Sequence, residues 1–380
     1  MSGTIDQFIT AIALLALLIA RWGVAGAAAR SGVAARLRTL YTLTGLLLAL
    51  RLLAPLLAMT PLVVALMTVA AWLPFAGVRL VEELCRRHAA RPVKLLALGG
   101  GLAFTLVALT LGVVWSAGAL LGLAAYQSVM LVLMIRQLAG ARSGLGVAER
   151  RTLDTFLLAL LLTIPLALTD FPALFPDLPV RGGAIAVLLL VLASSRLVSD
   201  RGTPAGLMAD LLVALGASGA ILFAGHVALL GLDADAAVKL AAGGWAIAAL
   251  LLLVERAASG GTRGSGLTAA LARTSGGDLG TILSAHPLLE AGRVLEGEDL
   301  AGYPSISLAR LLEHRVISAD IEDAEAGDAG RDLLQAAQAT HLLRISRDPP
   351  RLLAIAAGGL AGAALDDEIE IAARLIEAKA

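Results

Sequence analysis

Arg51 stands in LLLALRLLAPLL (46–57), a run that otherwise holds only leucine, alanine and one proline. A guanidinium carries five N–H donors and a permanent charge, so in apolar surroundings it needs an acceptor or an anion. Pro55 sharpens the problem. In a helix, residue 55 would donate its N–H to the carbonyl of residue 51, and proline has no N–H to give. A cation and an orphan acceptor therefore fall on one residue. A second polar group inside an apolar run is Tyr126-Gln127-Ser128. Gln127 can accept a hydrogen bond from Arg51, and Tyr126 can accept one or stack. Arg51, Tyr126 and Gln127 are thus the candidate ligand-binding residues, with water or an anionic ligand group as the third party. Arg51 has two other readings: it glues helices or snorkels outward, or it lines a conduction path.

The remaining polar residues in apolar runs offer less. Asp210 and Asp154 oppose the charge of Arg51 but stand near the inner ends of their runs, so no carboxylate is expected at its depth. His226 has no second histidine or carboxylate at helical spacing, so no metal site is expected. Trp245 reads as a packing residue. Lys239 lies at the end of its run, where it does not suit a retinal-type pigment. A single cysteine, Cys85, excludes an intrachain disulfide and any cysteine-cluster metal site. No phosphate loop, Ser/His/Asp order or paired carboxylates stand out, so neither a catalytic role nor a cofactor is expected.

These residues must be positioned by membrane helices. The chain has 380 residues, 58% hydrophobic and 16% charged, with a mean hydropathy of +0.84. Soluble domains carry about a quarter charged residues. Apolar runs of about 20 residues are long enough to cross roughly 30 Å of hydrocarbon. Nine candidate spans are read at about 5–20, 39–59, 62–84, 95–114, 117–137, 153–169, 182–198, 207–231 and 236–255. Of the 20 Lys and Arg in residues 1–266, 17 fall in alternate connections, on one face. The positive-inside rule makes that face cytoplasmic. Only Arg51, Arg181 and Lys239 lie elsewhere, and the opposite face carries Asp6, Asp170, Asp177, Asp233 and Asp235. The first span has Asp6 before it and Arg21 after it, the reverse of a signal peptide. An uncleaved helix is expected, with the N-terminus outside, the C-terminus inside and the chain in a bacterial inner membrane. The outer loops are short; the longest is DFPALFPDLPVR (170–181), so anything sensed from outside must enter the bundle or come through the lipid. Gly99-Gly100-Gly101 and Gly243-Gly244 suit close helix packing.

Charge separates the chain into two parts. Residues 1–266 carry 20 basic and 12 acidic residues, and residues 267–380 carry 10 and 18. The expected domains are a membrane domain over 1–256, a linker over 257–278 containing AASGGTRGSG, and a cytoplasmic domain over 279–380. In the last, SISLARLLEH (305–314) reads as a helix, RVISAD (315–320) as a strand, IEDAEAGDAGRD as a solvated loop and DLLQAAQA (332–339) as a helix. THLLRIS (340–346) and RLLAIAA (351–357) read as an antiparallel hairpin across RDPP. After GGLAGAAL, Asp366 and Asp367 open a final helix with Ile369, Ala372, Ala373 and Ile376 on one stripe. This order predicts a small α+β domain.

The strand pair ending in LLAIAAGG, its Gly/Ala loop, the acidic cap and the final helix resemble the C-terminal half of a GAF domain. LARLLEHRVISADI followed by THLLRIS is similar to the middle of GAF domains in membrane-bound sensor histidine kinases. The resemblance covers roughly 280–380 and implies a multi-span module feeding a GAF-like domain. The chain departs from that family in lacking the phospho-accepting histidine box and the ATP boxes; GGDLG (276–280) reads as a loop. His314 and His341 read as structural.

The expected protein is therefore a polytopic α-helical membrane bundle followed by a small α+β GAF-like cytoplasmic domain. Its expected function is a sensor or regulator signalling through a partner in trans. The alternatives are a transporter or channel with a regulatory domain, or a scaffold for a membrane complex. The expected partners are the lipid bilayer, a cytoplasmic signalling protein or membrane-complex subunit, and a second copy in a homodimer. The acidic cytoplasmic part argues against nucleic acid.

Overall fold

The computed structural model describes every residue except 1, 26–27, 29–31, 58, 86, 111–116, 143–146, 172–173, 199–203, 229–230, 260–266, 275–277, 291, 319–323, 338, 357–362 and 380. The chain divides into two compact units. Met1–Ser143 with Leu153–Ala258 form the first, and Gly144–Thr152 with Ser259–Ala380 the second.

The long apolar runs become helices, because in hydrocarbon only a helix satisfies its own backbone groups within one segment. They are α1 Ser2–Ala25, α2 Gly32–Leu57, α3 Thr60–Cys85, α4 Arg91–Leu109, α5 Ala117–Ala141, α6 Val147–Leu168, α7 Gly183–Val198, α8 Pro204–Ala228 and α9 Ala234–Ser259. Among the described residues, eight of these are long and apolar enough to cross a membrane. The protein is therefore an integral membrane helical bundle. The exception, α7, has only 16 residues. Pro55, Pro74 and Pro165 lie inside α2, α3 and α6.

The bundle is built around α2 and α3. Helix α2 packs on α1 and α3, α3 packs on α4 and α5, and α1 packs on α7. Glycine sets the closest approaches. A methyl group on Gly100 would lie 2.1 Å from the Tyr126 ring, and one on Gly77 would lie 2.8 Å from the Met134 sulfur. The outer faces stay apolar: Leu106, Leu212 and Phe223 are among the most exposed residues of their helices, as contact with lipid tails requires.

The second unit has an antiparallel sheet of β1 (Arg293–Glu296), β2 (Val316–Ser318), β3 (His341–Ser346) and β4 (Arg351–Ile355), in the order β1-β4-β3-β2. Leu343 stands opposite Leu353 in the central pair. Helices cover both faces. On one, α10 (Leu267–Arg273), α11 (Leu279–Ser284), α12 (Pro287–Glu290) and α16 (Ala363–Lys379) pack on Leu343, Ile345, Leu353 and Ile355. On the other, α13 (Glu298–Ala301), α14 (Ser305–Leu311) and α15 (Ala324–Ala336) pack on Leu342, Leu352 and Ala354. A sheet covered on both faces needs apolar side chains at successive positions, which is why β3 and β4 read as continuous apolar runs.

Several elements of the second unit differ from the sequence reading. Helix α10 lies inside the stretch expected as linker (257–278), and its Leu267 and Leu271 are fully buried. Strand β1 was not anticipated. Helix α15 starts at Ala324, inside the stretch expected as a solvated loop, because only Ala329, Leu333 and Leu334 need to face the core.

Candidate functional site

Arg51 lies six residues before the end of α2, and a carboxylate meets it there. Its Nη1 donates to Asp170 Oδ2 at 2.6 Å, with both side chains a little over a quarter exposed. This corrects the expectation that no acid reaches Arg51. Asp170 follows α6 immediately, in the turn Thr169-Asp170, where the Asp170 N–H still donates to the carbonyl of Ala167. Its other oxygen, Oδ1, accepts the N–H of Gly183, the first residue of α7, at 3.1 Å. One carboxylate thus neutralises a cation on α2 and satisfies an orphan amide at the start of α7, where the helix dipole also favours negative charge.

Further hydrogen bonds close the cluster. Gly182 N–H donates to Thr169 Oγ1 at 2.6 Å. Arg181 N–H donates to Asp6 Oδ1 at 3.0 Å, and its Nη1 donates to the carbonyls of Thr169 at 3.2 Å and Phe175 at 3.3 Å. The group joins α1 (Asp6), α2 (Arg51), the end of α6 (Thr169, Asp170) and the start of α7 (Gly182, Gly183). It holds two cations and two carboxylates. Gly183 leaves room for the carboxylate: a Cβ there would lie 1.8 Å from Asp170 Oδ2, so Asp170 would have to move, and one on Gly182 would lie 2.6 Å from Thr169 Oγ1.

Tyr126 and Gln127 do not join Arg51. Tyr126 Oη donates to the carbonyl of Ala97 at 2.8 Å, and its ring lies tilted against Phe104 at 5.6 Å. Gln127 Nε2 donates to the carbonyl of Ala70 at 3.0 Å. Both are satisfied by α3 and α4, the neighbours of α5. A buried donor takes the nearest acceptor, and here that is helix backbone. The three residues grouped by depth therefore occupy two separate places.

Three further acids of the bundle, Glu82, Asp210 and Asp154, are also engaged. Glu82, 7% exposed, receives Lys94 Nζ at 2.6 Å and the Ala89 N–H at 2.7 Å, with Arg79 Nη1 at 3.4 Å and His88 Nδ1 at 3.6 Å. Asp210 is paired with Arg256, whose Nη1 also donates to Ser195 Oγ at 3.0 Å, joining α7, α8 and α9. Asp154 takes Arg142 Nε at 2.8 Å and Nη2 at 3.0 Å. His226 is exposed. Among the described residues no group of three His, Cys, Asp or Glu could hold a metal ion.

The second unit has a charge cluster of its own, which the sequence did not reveal. Arg344 is 2% exposed in the middle of β3. Its Nη1 donates to the carbonyls of Leu312 at 2.5 Å and Glu313 at 3.2 Å, and its Nη2 donates to Glu377 Oε1 at 2.7 Å. Arg315 Nε reaches the other oxygen of Glu377 at 3.2 Å. A cation at the two carbonyls just past the end of α14 satisfies acceptors there and complements the helix dipole. The same guanidinium ties the last turn of α16 to the sheet. Burial works against the charge on Glu377, but the hydrogen bonds and charges of Arg344 and Arg315 outweigh it and hold the carboxyl below its ordinary value.

Comparison of the chain with protein-family models, with curated proteins and with solved structures finds no match in any of the three.

Proposed function

We propose that this integral membrane protein is a sensor or regulator: a nine-span bundle that controls a GAF-like cytoplasmic domain and signals through a partner in trans. In this reading α7 completes the nine spans, the N-terminus lies outside, and the second unit is cytoplasmic. The alternation of basic connections supports that orientation. The membrane is the inner membrane of a bacterium.

The observation that carries the reading is the pairing of α10 with α16. Helix α10 follows the last membrane helix after the seven residues 260–266. Its buried Leu267 and Leu271 share one core with Ile369, Ala372, Ala373 and Ile376 of α16. In this reading a displacement of α9 is passed along the chain to α10, which packs directly on α16. Packed cores shift between discrete arrangements rather than deforming smoothly, which suits such a pair to relaying a change. The charge cluster at Glu377 fixes the far end of α16 against the sheet.

The test is purification of the full chain from its native membrane. A kinase or other signalling enzyme is expected as a stable partner, and Leu271→Glu is expected to lose it while the membrane unit stays inserted. Retention of the partner by that variant would refute the relay. Substrate flux in liposomes, abolished by Arg51→Ala, would replace the reading with transport.

A further inference from the structure

The turn between α3 and α4 is rich in charge, and its acids are already used. Glu82 is buried and takes the Lys94 ammonium and the Ala89 amide. Glu83 takes Arg36 at 3.6 Å. Neither neutralises Arg87 or Arg91. Both of these are exposed, and neither has an acidic partner among the described residues. His88, 91% exposed, stands between them. The turn is held in place from beneath: Glu82 grips Ala89 from inside the bundle, and the Arg87 N–H donates to the Glu82 carbonyl at 3.3 Å.

Arg91 is the first residue of α4. Leu95, Leu98, Leu102, Leu106 and Leu109 follow at helical spacing and are all exposed. At 100° per residue they form one stripe directly in line with Arg91. Ala97, Gly101 and Ala108 lie on a different face, which is buried in the bundle. Arg91 to Leu102 covers about 16 Å of helix rise, close to the depth of one leaflet in a hydrocarbon core of roughly 30 Å.

We propose that this surface is a binding site for an anionic phospholipid. The headgroup phosphate sits between Arg87 and Arg91, and one acyl chain lies along Leu95, Leu98 and Leu102. Two unneutralised cations select negative charge, and the stripe beneath them selects a molecule with a tail. The cations stand where an apolar helix leaves the hydrocarbon, at the level of lipid headgroups. This position favours a lipid over a soluble anion or the acidic second unit of the chain.

The experiment is native mass spectrometry of the full chain released from nanodiscs of phosphatidylcholine containing phosphatidylglycerol. The wild type is expected to retain phosphatidylglycerol in preference to phosphatidylcholine. Each surface cation contributes about fivefold, so R87Q/R91Q is expected to lower retention about thirtyfold. R87K/R91K is expected to restore it, and R38Q, an exposed cation elsewhere in the bundle, to leave it unchanged. Equal retention of the two lipids by the wild type would overturn the proposal, as would wild-type retention by R87Q/R91Q. Displacement of the lipid by millimolar inorganic phosphate would overturn the role of the acyl chain and with it the site. If R87Q/R91Q retains lipid but exposes residues 267–380 to protease, the cations serve the acidic unit and the proposal fails.

Discussion

The Arg51–Asp170 pair allows the bundle's polar cluster to be weighed. Two unit charges about 4 Å apart attract by roughly 4 kcal/mol at an effective dielectric of about 20. Desolvation offsets part of this, and with each side chain more than a quarter exposed the net value falls in the range of a charged hydrogen bond, about 1.5–3 kcal/mol. Asp170→Asn is the informative substitution. It removes the charge but keeps an oxygen that can accept from Gly183, so it isolates the pair from the helix cap. Asp170→Ala removes both, and is expected to cost about 1 kcal/mol more, the usual contribution of a cap. The assay is equilibrium unfolding of the full chain in mixed micelles, run as a double-mutant cycle with Arg51→Gln. The expected coupling is about 2 kcal/mol, and the double variant is expected to be little worse than either single one. Independent sites add to within about 0.3–0.5 kcal/mol. A coupling inside that scatter would mean that the pair does not hold α2 to α6 and α7, and the account of the cluster would be wrong.

Two further outcomes follow from the same geometry. Gly183→Ala places a methyl group 1.8 Å from Asp170 Oδ2, so it is expected to expel Asp170 from Arg51 and lose about as much stability as Asp170→Ala. Combining the two should cost little beyond either alone, and full additivity in the same unfolding assay would disprove the shared cause. In the second unit, the lowered Glu377 value means that its contribution is complete above the ordinary value of 4.5. It is lost as pH falls below that value and through the lower folded one, because the unfolded chain takes up the proton first. Protection of α16 amides from hydrogen exchange, taken relative to the intrinsic rate (which itself slows toward pH 3), is expected to fall from pH 5 to pH 3 in the wild type and much less in Glu377→Gln. Identical profiles would remove the cluster as the clasp of α16.

The helices were legible because hydrocarbon imposes one solution on a long apolar run, and a helix stands at each of the nine positions read. Their ends were not. Helix α2 begins at Gly32, seven residues before the expected 39, because Arg36 and Arg38 continue the helix beyond the apolar run. In the second unit β3, β4 and α16 were visible through their apolar pattern. Strand β1 was not, since four residues, RVLE, are too few to show alternation, and its register is set by pairing with β4. Helix α10 was hidden by its Gly- and Ser-rich surroundings. Its two leucines acquire meaning only through the core they enter.

The site was half legible for a related reason. Counting residues along a span gives the depth of a Cα but neither its azimuth nor the reach of its side chain. Tyr126 and Gln127 have a suitable depth, yet α5 packs on α3 and α4, so backbone carbonyls of those helices take their donors. Asp170 has the wrong depth by count, yet only six residues of α2, about 9 Å of rise, lie beyond Arg51. A guanidinium that extends toward the helix end covers much of that distance. The usable signal was the loop itself. It starts with Thr169-Asp170 and ends with Gly182-Gly183, two acceptors facing two amides that lack side chains. Those residues close the loop on itself, bring the carboxylate back to the bundle and leave its second oxygen for Arg51. The cation in the greasy run therefore required an acid at the end of a neighbouring helix, within reach of its side chain, rather than one at its own level.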